Sequence, residues 1–459
     1  MKTFKFFALL FVISLAGCVQ RQNNTVVIHS VPADSIFTEI NLFALPAGEL
    51  DITFEGGKTC RFTIDTVQVC NFYGTSDENR FFTQIFITPG DAVSLKTIPG
   101  EDYYDLLFEG KNAAHYNYVS QKRKSFPWEE EPNYFSNPDI DLLEYKQQLL
   151  VYRDRENGFL SNYKKEHTVS EDFINYASAE INNLYAFKLY QAAYFNKHSL
   201  PAGYLEDAVI TQNPLSMDAM EAMRFKYIYC SSDVNIERIY NAILDEVCPK
   251  LQPSLLAGLI AWFTEKGDRV YKESLLQVMD QIEKTSTDHT LLAQIKESRA
   301  HYLLSGTILP DSILDKTYLR PLHSTQKITL RQFFDNYKNR AIYLDLWASW
   351  CNPCRDAARE SAIGKSYLAG KQITVVYISI DADESAWVQA AIEDGIMDNQ
   401  YLLLHDNDRP VYSYLKIRSI PRYVLFNKNH EIEVLSGPRP TQRMFEDLKE
   451  IIERYSEKL

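Results

Sequence analysis

Asp345-Leu346-Trp347-Ala348-Ser349-Trp350-Cys351-Asn352-Pro353-Cys354-Arg355 is the stretch whose reading decides the fold of the C-terminal region. An apolar run ends in small residues and a turn, and Cys354 to Tyr367 then has helical period, so a strand feeds a tight turn and a helix. That order puts Cys351 at a helix N-terminus, where unpaired backbone N–H groups and the macrodipole favour a thiolate over a thiol. Cys354, three residues on, is close enough to close a disulfide yet shielded from solvent. The two have the form of a nucleophile and its resolving thiol. Structural zinc would need a second Cys or Cys/His pair, and covalent haem a histidine after Cys354, where Arg355 stands. No metal and no cofactor is expected.

Outward from this stretch, Ala341–Leu346 reads as a strand, Ile373–Ile380 as a β-branched run, Arg422–Phe426 and Glu431–Leu435 as a hairpin, and Thr441–Tyr455 as a closing helix. From residue 306 the order is β-α-β-α-β-β-α, that of an α/β thioredoxin fold with a mixed sheet between helices. Trp347–Arg355 resembles the active-site stretch of thioredoxins, and more closely that of periplasmic TlpA-like thiol-disulfide oxidoreductases. Ile417-Arg418-Ser419-Ile420-Pro421 is similar to the cis-proline loop of that family, and Ser379-Ile380-Asp381 with Trp387 to its central strand and following helix. The likeness covers residues 306–459.

The resemblance implies that Pro421 is a cis-proline beside the two sulfurs and that Ile420 offers backbone groups to a substrate strand, with Trp350 and Pro353 on the substrate face. It also implies that Asp345 is a buried acid whose raised pKa suits it to take the proton of Cys354. The implied activity is disulfide reduction on client proteins, with a membrane electron donor resetting the pair. Two departures stand out: Arg359 occupies the place of a helix-kinking proline, and Asn352 the place of a glycine between the cysteines. The residues between the cysteines tune the potential, so the direction of electron flow stays open. A thiol peroxidase would need Pro and Thr or Ser seven and three residues before Cys351, where Leu344 and Ala348 stand.

Residues 18–110 alternate apolar and polar positions in short runs. Leu50–Phe54 and Arg61–Ile64 flank Gly56-Gly57, and Thr88-Pro89-Gly90-Asp91 joins Phe82–Ile87 to Ala92–Leu95, which reads as β-hairpins within a small sandwich. The end of this region, Leu107-Phe108-Glu109-Gly110-Lys111-Asn112, resembles a domain of unknown function that precedes redox domains in Bacteroidetes-type lipoproteins. Residues 111–305 change to helical spacing. Thr168-Val169-Ser170-Glu171 has capping-box form, and Phe173, Ala177, Ile181 and Leu184 follow on one face as a packing stripe. The expected architecture is multidomain: a β-rich sandwich, a helical middle domain and the thioredoxin-like domain.

At the N-terminus, Lys2 and Lys5 precede an apolar run, Phe6–Leu15, too short to span a bilayer. Leu15-Ala16-Gly17-Cys18 resembles the bacterial lipobox, so residues 1–17 are expected to be removed and Cys18 lipidated, anchoring the chain to a membrane. Val19 in place of aspartate favours the outer membrane, and Gln20-Arg21-Gln22-Asn23-Asn24, which has no acidic cluster, favours its periplasmic face. Of seven cysteines, six remain, an even number that suits an oxidising compartment. Cys60, Cys70, Cys230 and Cys248 allow three pairings or none. A net charge of -13 excludes a phosphate-rich partner such as nucleic acid. The rival to an enzyme is an envelope scaffold or binding lipoprotein in which the redox pair is accessory.

Overall fold

The computed structural model describes residues 24–31, 37–45, 50–75, 80–99, 104–197, 199–230, 235–404 and 410–459. The leader and Cys18 lie outside them. The chain divides into two compact units, residues 1–192 with 200–219, and residues 193–199 with 220–459. The boundary expected near residue 110 falls inside the first unit and the one near 305 inside the second. Among the described residues no helix is long and apolar enough to cross a membrane.

The first unit opens with eight strands: β1 (Thr25–Ser30), β2 (Glu39–Leu45), β3 (Asp51–Glu55), β4 (Thr59–Thr63), β5 (Gln68–Thr75), β6 (Arg80–Ile87), β7 (Ala92–Pro99) and β8 (Tyr104–Lys111). They form two four-stranded sheets, ordered β4-β1-β7-β8 and β3-β2-β5-β6. Val26, Ile28, Val93 and Leu95 of one sheet and Ile40, Leu42, Phe72 and Ile85 of the other share a core. The sandwich is as expected, but two of its turns are not hairpin turns. The Gly56-Gly57 turn links β3 to β4, and the Thr88–Asp91 turn links β6 to β7, so each carries the chain from one sheet to the other. Alternation marks which face of a strand is buried and not which strand it pairs with, so both readings fit the same pattern. Asp91 fixes the second crossing: its Oδ2 accepts from the Thr88 N–H at 2.7 Å and its Oδ1 from Asn112 Nδ2 at 2.7 Å.

Cys60 and Cys70 are buried thiols in different sheets, and burial pushes Cys70 up to about 12. Cys230 and Cys248 are thiols as well. Helices Ala113–Ser125, Leu142–Glu166 and Glu171–Phe195 follow the sandwich. The third is capped by Ser170, whose Oγ accepts from the Phe173 N–H at 3.2 Å, two residues later than the cap read from Thr168. Three residues of its stripe, Phe173, Ala177 and Ile181, are buried in one cluster with Phe86 and Tyr118, while the fourth, Leu184, is only half-buried.

The second unit joins four helices, Ile236–Glu246, Gln252–Lys266, Lys272–Thr285 and His289–Tyr302, to a seven-stranded mixed sheet. Its strands are β9 (Tyr318–Pro321), β10 (Ile328–Thr329), β11 (Ala341–Trp347), β12 (Ile373–Ser379), β13 (Gln400–Leu403), β14 (Arg422–Phe426) and β15 (Ile432–Val434), in the order β10-β9-β13-β12-β11-β14-β15. β12 is the middle strand, and β11 beside it runs parallel to β12 and antiparallel to β14. The sequence reading missed β9, β10 and β13, runs too short to show a period. Helices and sheet are fastened together by buried and half-buried polar contacts. Arg269 bridges Glu431 and Glu433 at 2.7 and 3.0 Å, and the buried Asp268 accepts from Arg454 and the Tyr455 hydroxyl. Gly267 ends its helix at φ 54°, and a Cβ there would sit 2.4 Å from the Leu435 side chain, so both backbone and packing require glycine.

Candidate active site

Every residue of β11 is buried, as expected of a strand covered on both faces. Where it ends, the chain turns through Ala348–Trp350 into the helix Asn352–Arg359, with Cys351 as its N-cap. Cys351 and Cys354 form a disulfide with Cα atoms 5.3 Å apart. The Cys354 N–H donates to Cys351 Sγ at 3.3 Å, so that sulfur receives one of the amides a helix start leaves without an internal partner. Cys351 is 6% exposed and Cys354 2%. Trp350, 64% exposed, and Pro353 stand out beside them at the surface.

The turn before Cys351 is pinned by an aspartate that sequence reasoning gave no role. The buried Asp381 accepts from the Ser349 N–H at 2.9 Å, from Ser349 Oγ at 2.6 Å and from Ser379 Oγ at 2.6 Å. Beyond the cysteines, Arg355 donates to both oxygens of the buried Asp394, and Arg359 to one of them at 3.2 Å. Arg359 does not extend the helix. It is the last residue, and a second helix, Ala362–Gly370, begins after Ser361, whose Oγ donates to the Ala358 carbonyl at 2.6 Å. The chain thus breaks near the family's proline position without a proline.

Asp345 lies in the middle of β11, opposite Tyr377 of β12 and Tyr423 of β14. It is 4% exposed, and its Oδ1 has no hydrogen-bond partner among the described residues. Burial pushes its carboxyl up to about 7, offset in part by the Tyr423 hydroxyl and the charges of Lys365 and Arg439. Lys365, which the sequence did not single out, is itself shifted down by burial, while Asp345 and Asp394 pull it the other way.

The Ile420–Pro421 bond is cis. Both residues are half-buried, and Ile420 packs against the apolar cluster that holds Cys351 and Cys354. On the flank of this loop, Glu297 of the helix His289–Tyr302 accepts from Arg418 at 3.1 Å. His301 of the same helix is shifted down to about 4 by burial, with Lys416, Arg422 and Arg418 adding to the effect and Glu297 opposing it. Among the described residues no group of His, Cys, Asp and Glu could hold a metal ion.

The arrangement is a disulfide at a helix start, a buried acid on the strand leading to it and a cis-proline loop packed on the same core. Residues 339–432 match the thioredoxin-like family. The chain is 28% identical over 109 residues to thioredoxin C-3 of Corynebacterium nephridii, covering 23% of this chain and 57% of that protein. It is 26% identical over 106 residues to a thioredoxin of Mycoplasma pneumoniae, covering 23% of this chain and 78% of that one. The chain thus spans little more than half the length of the first of these relatives. A solved thioredoxin domain of a thiol-disulfide oxidoreductase from Bacteroides vulgatus aligns with 33% of this chain and 97% of its own length, at 22% identity and a TM-score of 0.27. Residues 339–432 thus belong to a thioredoxin-like domain.

Proposed function

We propose that the chain is a cell-envelope protein-disulfide reductase. The observation that carries this reading is the position of Cys351: its sulfur caps a helix and accepts the Cys354 N–H, while Cys354 lies deeper behind it. In the reduced enzyme the Cys351 thiolate attacks a client disulfide, forming a mixed disulfide and releasing one client thiolate. Asp345 takes the proton of Cys354, and the Cys354 thiolate attacks the Cys351 sulfur, releasing the second client thiol. Two electrons pass to the client, and the Cys351–Cys354 bond closes. A dithiol donor in the membrane returns two electrons and opens it again.

Trp350 and Pro353 give the client a surface to lie on, and the backbone of Ile420, ahead of Pro421, pairs with its strand. The leader, with Lys2 and Lys5 before an apolar run and then Leu15–Cys18, supports export and a lipid anchor on Cys18 at the outer membrane. Titration of the pair against dithiothreitol, read by thiol-alkylation mass shift, tests the direction of the reaction. A reductase has a single two-electron transition near or below about -250 mV, whereas a value near about -120 mV makes the protein an oxidant. A pair that does not cycle removes the enzymatic reading.

A further inference from the structure

The first unit holds a cavity of about 560 Å³, far from any cysteine of the redox pair in sequence, between the strand Arg80–Ile87 and the helices that follow the sandwich. Its walls are largely apolar, with Tyr118, Tyr176, Leu184 and Phe187 among them, and it is also lined by five acidic side chains, Glu129, Glu131, Glu156, Glu180 and Asp218, against four basic ones, Lys122, Arg123, Lys124 and Lys188. The charges do not balance inside it. Glu131 is paired with Arg123 at 3.3 Å and Lys188 at 2.9 Å, and the fully buried Glu156 with Lys122 at 2.8 Å. Glu180 and Asp218 have no ion-pair partner among the described residues, although both face this space.

Arg123 Nε, both oxygens of Glu156, Glu180 Oε1 and the Tyr118 hydroxyl line the cavity without the hydrogen-bond partner a buried polar atom needs, and the last two are the ones no ion pair answers. Glu180 Oε1 is buried and accepts no hydrogen bond, and the hydroxyl of Tyr118, a residue only 4% exposed, also has no partner among the described residues. An unpartnered hydroxyl and an unpartnered carboxyl oxygen on the wall of one cavity are a cost in a core and a use in a binding site. Burial holds Glu180 and Asp218 well above the usual carboxylate range. For Glu180, Asp218 and Glu156 add to the effect while Ser216 and Lys122 oppose it. For Asp218, Glu131 and Glu156 add to it while Lys122 and Lys188 oppose it.

We propose that this cavity binds an organic amine, its ammonium group held by Glu180 and Asp218 with the Tyr118 hydroxyl, and its apolar body held by Tyr176, Leu184 and Phe187. An ammonium supplies the cation the pair lacks and donates to the open oxygen of Glu180. Because it stabilises both carboxylates in the charged form, binding releases a proton to solvent. The size and apolar walls select a body of at least one ring or branched chain over a bare ammonium ion. This site uses none of the redox residues, so it stands or falls independently of the reductase reading.

The test is calorimetric titration of the intact chain with phenethylamine and tryptamine, beside 2-phenylethanol and phenylacetate, in two buffers of different ionisation enthalpy near pH 7.5. The amines are expected to bind saturably with net proton release, and the alcohol and the acid at least ~10-fold more weakly. Glu180→Gln and Asp218→Asn each weaken the amine by ~10-fold or more and abolish the proton release, while a wild-type circular dichroism spectrum and a cooperative thermal transition of the same samples show that the chain is folded. Leu184→Trp, which fills the space and leaves the carboxyls in place, also removes binding. Equal affinity for amine and alcohol overturns the proposal. So does an amine affinity unchanged by both carboxyl variants, or absence of saturable binding by either amine.

Discussion

Arg355 grips Asp394 with two parallel hydrogen bonds, Nε at 2.7 Å and Nη2 at 3.0 Å, and so ties the first turn of the cysteine-bearing helix to the end of the helix Glu384–Glu393. The carboxylate is fully buried, so the pair is not an ordinary surface bridge. Removing the arginine leaves a buried charge whose remaining ion pair among the described residues is with Arg359, helped at longer range by Lys365. Arg355→Ala is therefore expected to cost about 2–3 kcal/mol in urea unfolding, and Arg355→Lys, which loses the bidentate fork, about half of that. If both variants unfold at the wild-type midpoint, the clamp contributes nothing.

Asp345 titrates against stability. Its folded carboxyl is raised to about 7 from an ordinary 3.8, so the folded state holds the proton more tightly than the unfolded one. The stability it contributes is present below about pH 4 and is lost as pH rises through 7. Asp345→Asn removes a buried charge that forms only at high pH, and should stabilise the oxidised protein at pH 8 by up to about 4 kcal/mol, with little effect at pH 4. The same variant should slow turnover of disulfide substrates and remove the pH limb near 7 from the resolving step. Chemical unfolding at the two pH values, with insulin reduction across pH, reads both effects.

His301 acts in the opposite sense. Its folded pKa is lowered from 6.5 to about 4, so between those values the unfolded state binds the extra proton. Stability attributable to it is intact above pH 6.5 and falls as the pH drops toward 4, by up to roughly 3 kcal/mol. His301→Gln should flatten the acid limb of the unfolding midpoint between pH 6.5 and 4.5. An unchanged limb places the acid sensitivity elsewhere.

Asp381 holds the turn before the nucleophile, through the Ser349 N–H and the hydroxyls of Ser349 and Ser379. Asp381→Ala leaves these donors without their acceptor in a buried setting and should destabilise the protein by about 2–4 kcal/mol. Ser379→Ala, which removes the hydroxyl that donates to the carboxylate and accepts from the Asp381 N–H but keeps the carboxylate's grip on the turn, should cost about 1–2 kcal/mol and leave insulin reduction near wild type. Thermal unfolding with the same activity assay separates the two.

What could be read from the sequence was what is local. The strand, turn and helix around Cys351 are contiguous, and their order is written in an apolar run, a turn and a helical period. The cis bond at Pro421 came from likeness to a family and not from the residues' own pattern. What escaped depends on distance in sequence. The partner of Arg355 lies on another helix, and no periodicity connects it to Asp394. The turns at Gly56-Gly57 and Thr88–Asp91 carry hairpin chemistry yet join two sheets, because a turn signal fixes local φ and ψ and not the next strand's partner. Gln400–Leu403 is four residues and gives alternation too little length to show. The helix break after Arg359 lacks the proline or glycine that would have announced it.

The central claim, that Cys351 attacks and Cys354 resolves, is tested most directly by alkylating the fully reduced protein with limiting iodoacetamide across pH 5–9 and locating the label by peptide mass. Cys351 is expected to react first, with an apparent pKa below the ordinary thiol value of about 8.5, while Cys354 is labelled only after unfolding. Preferential labelling of Cys354, or equal labelling of both with an ordinary thiol pKa, would contradict it.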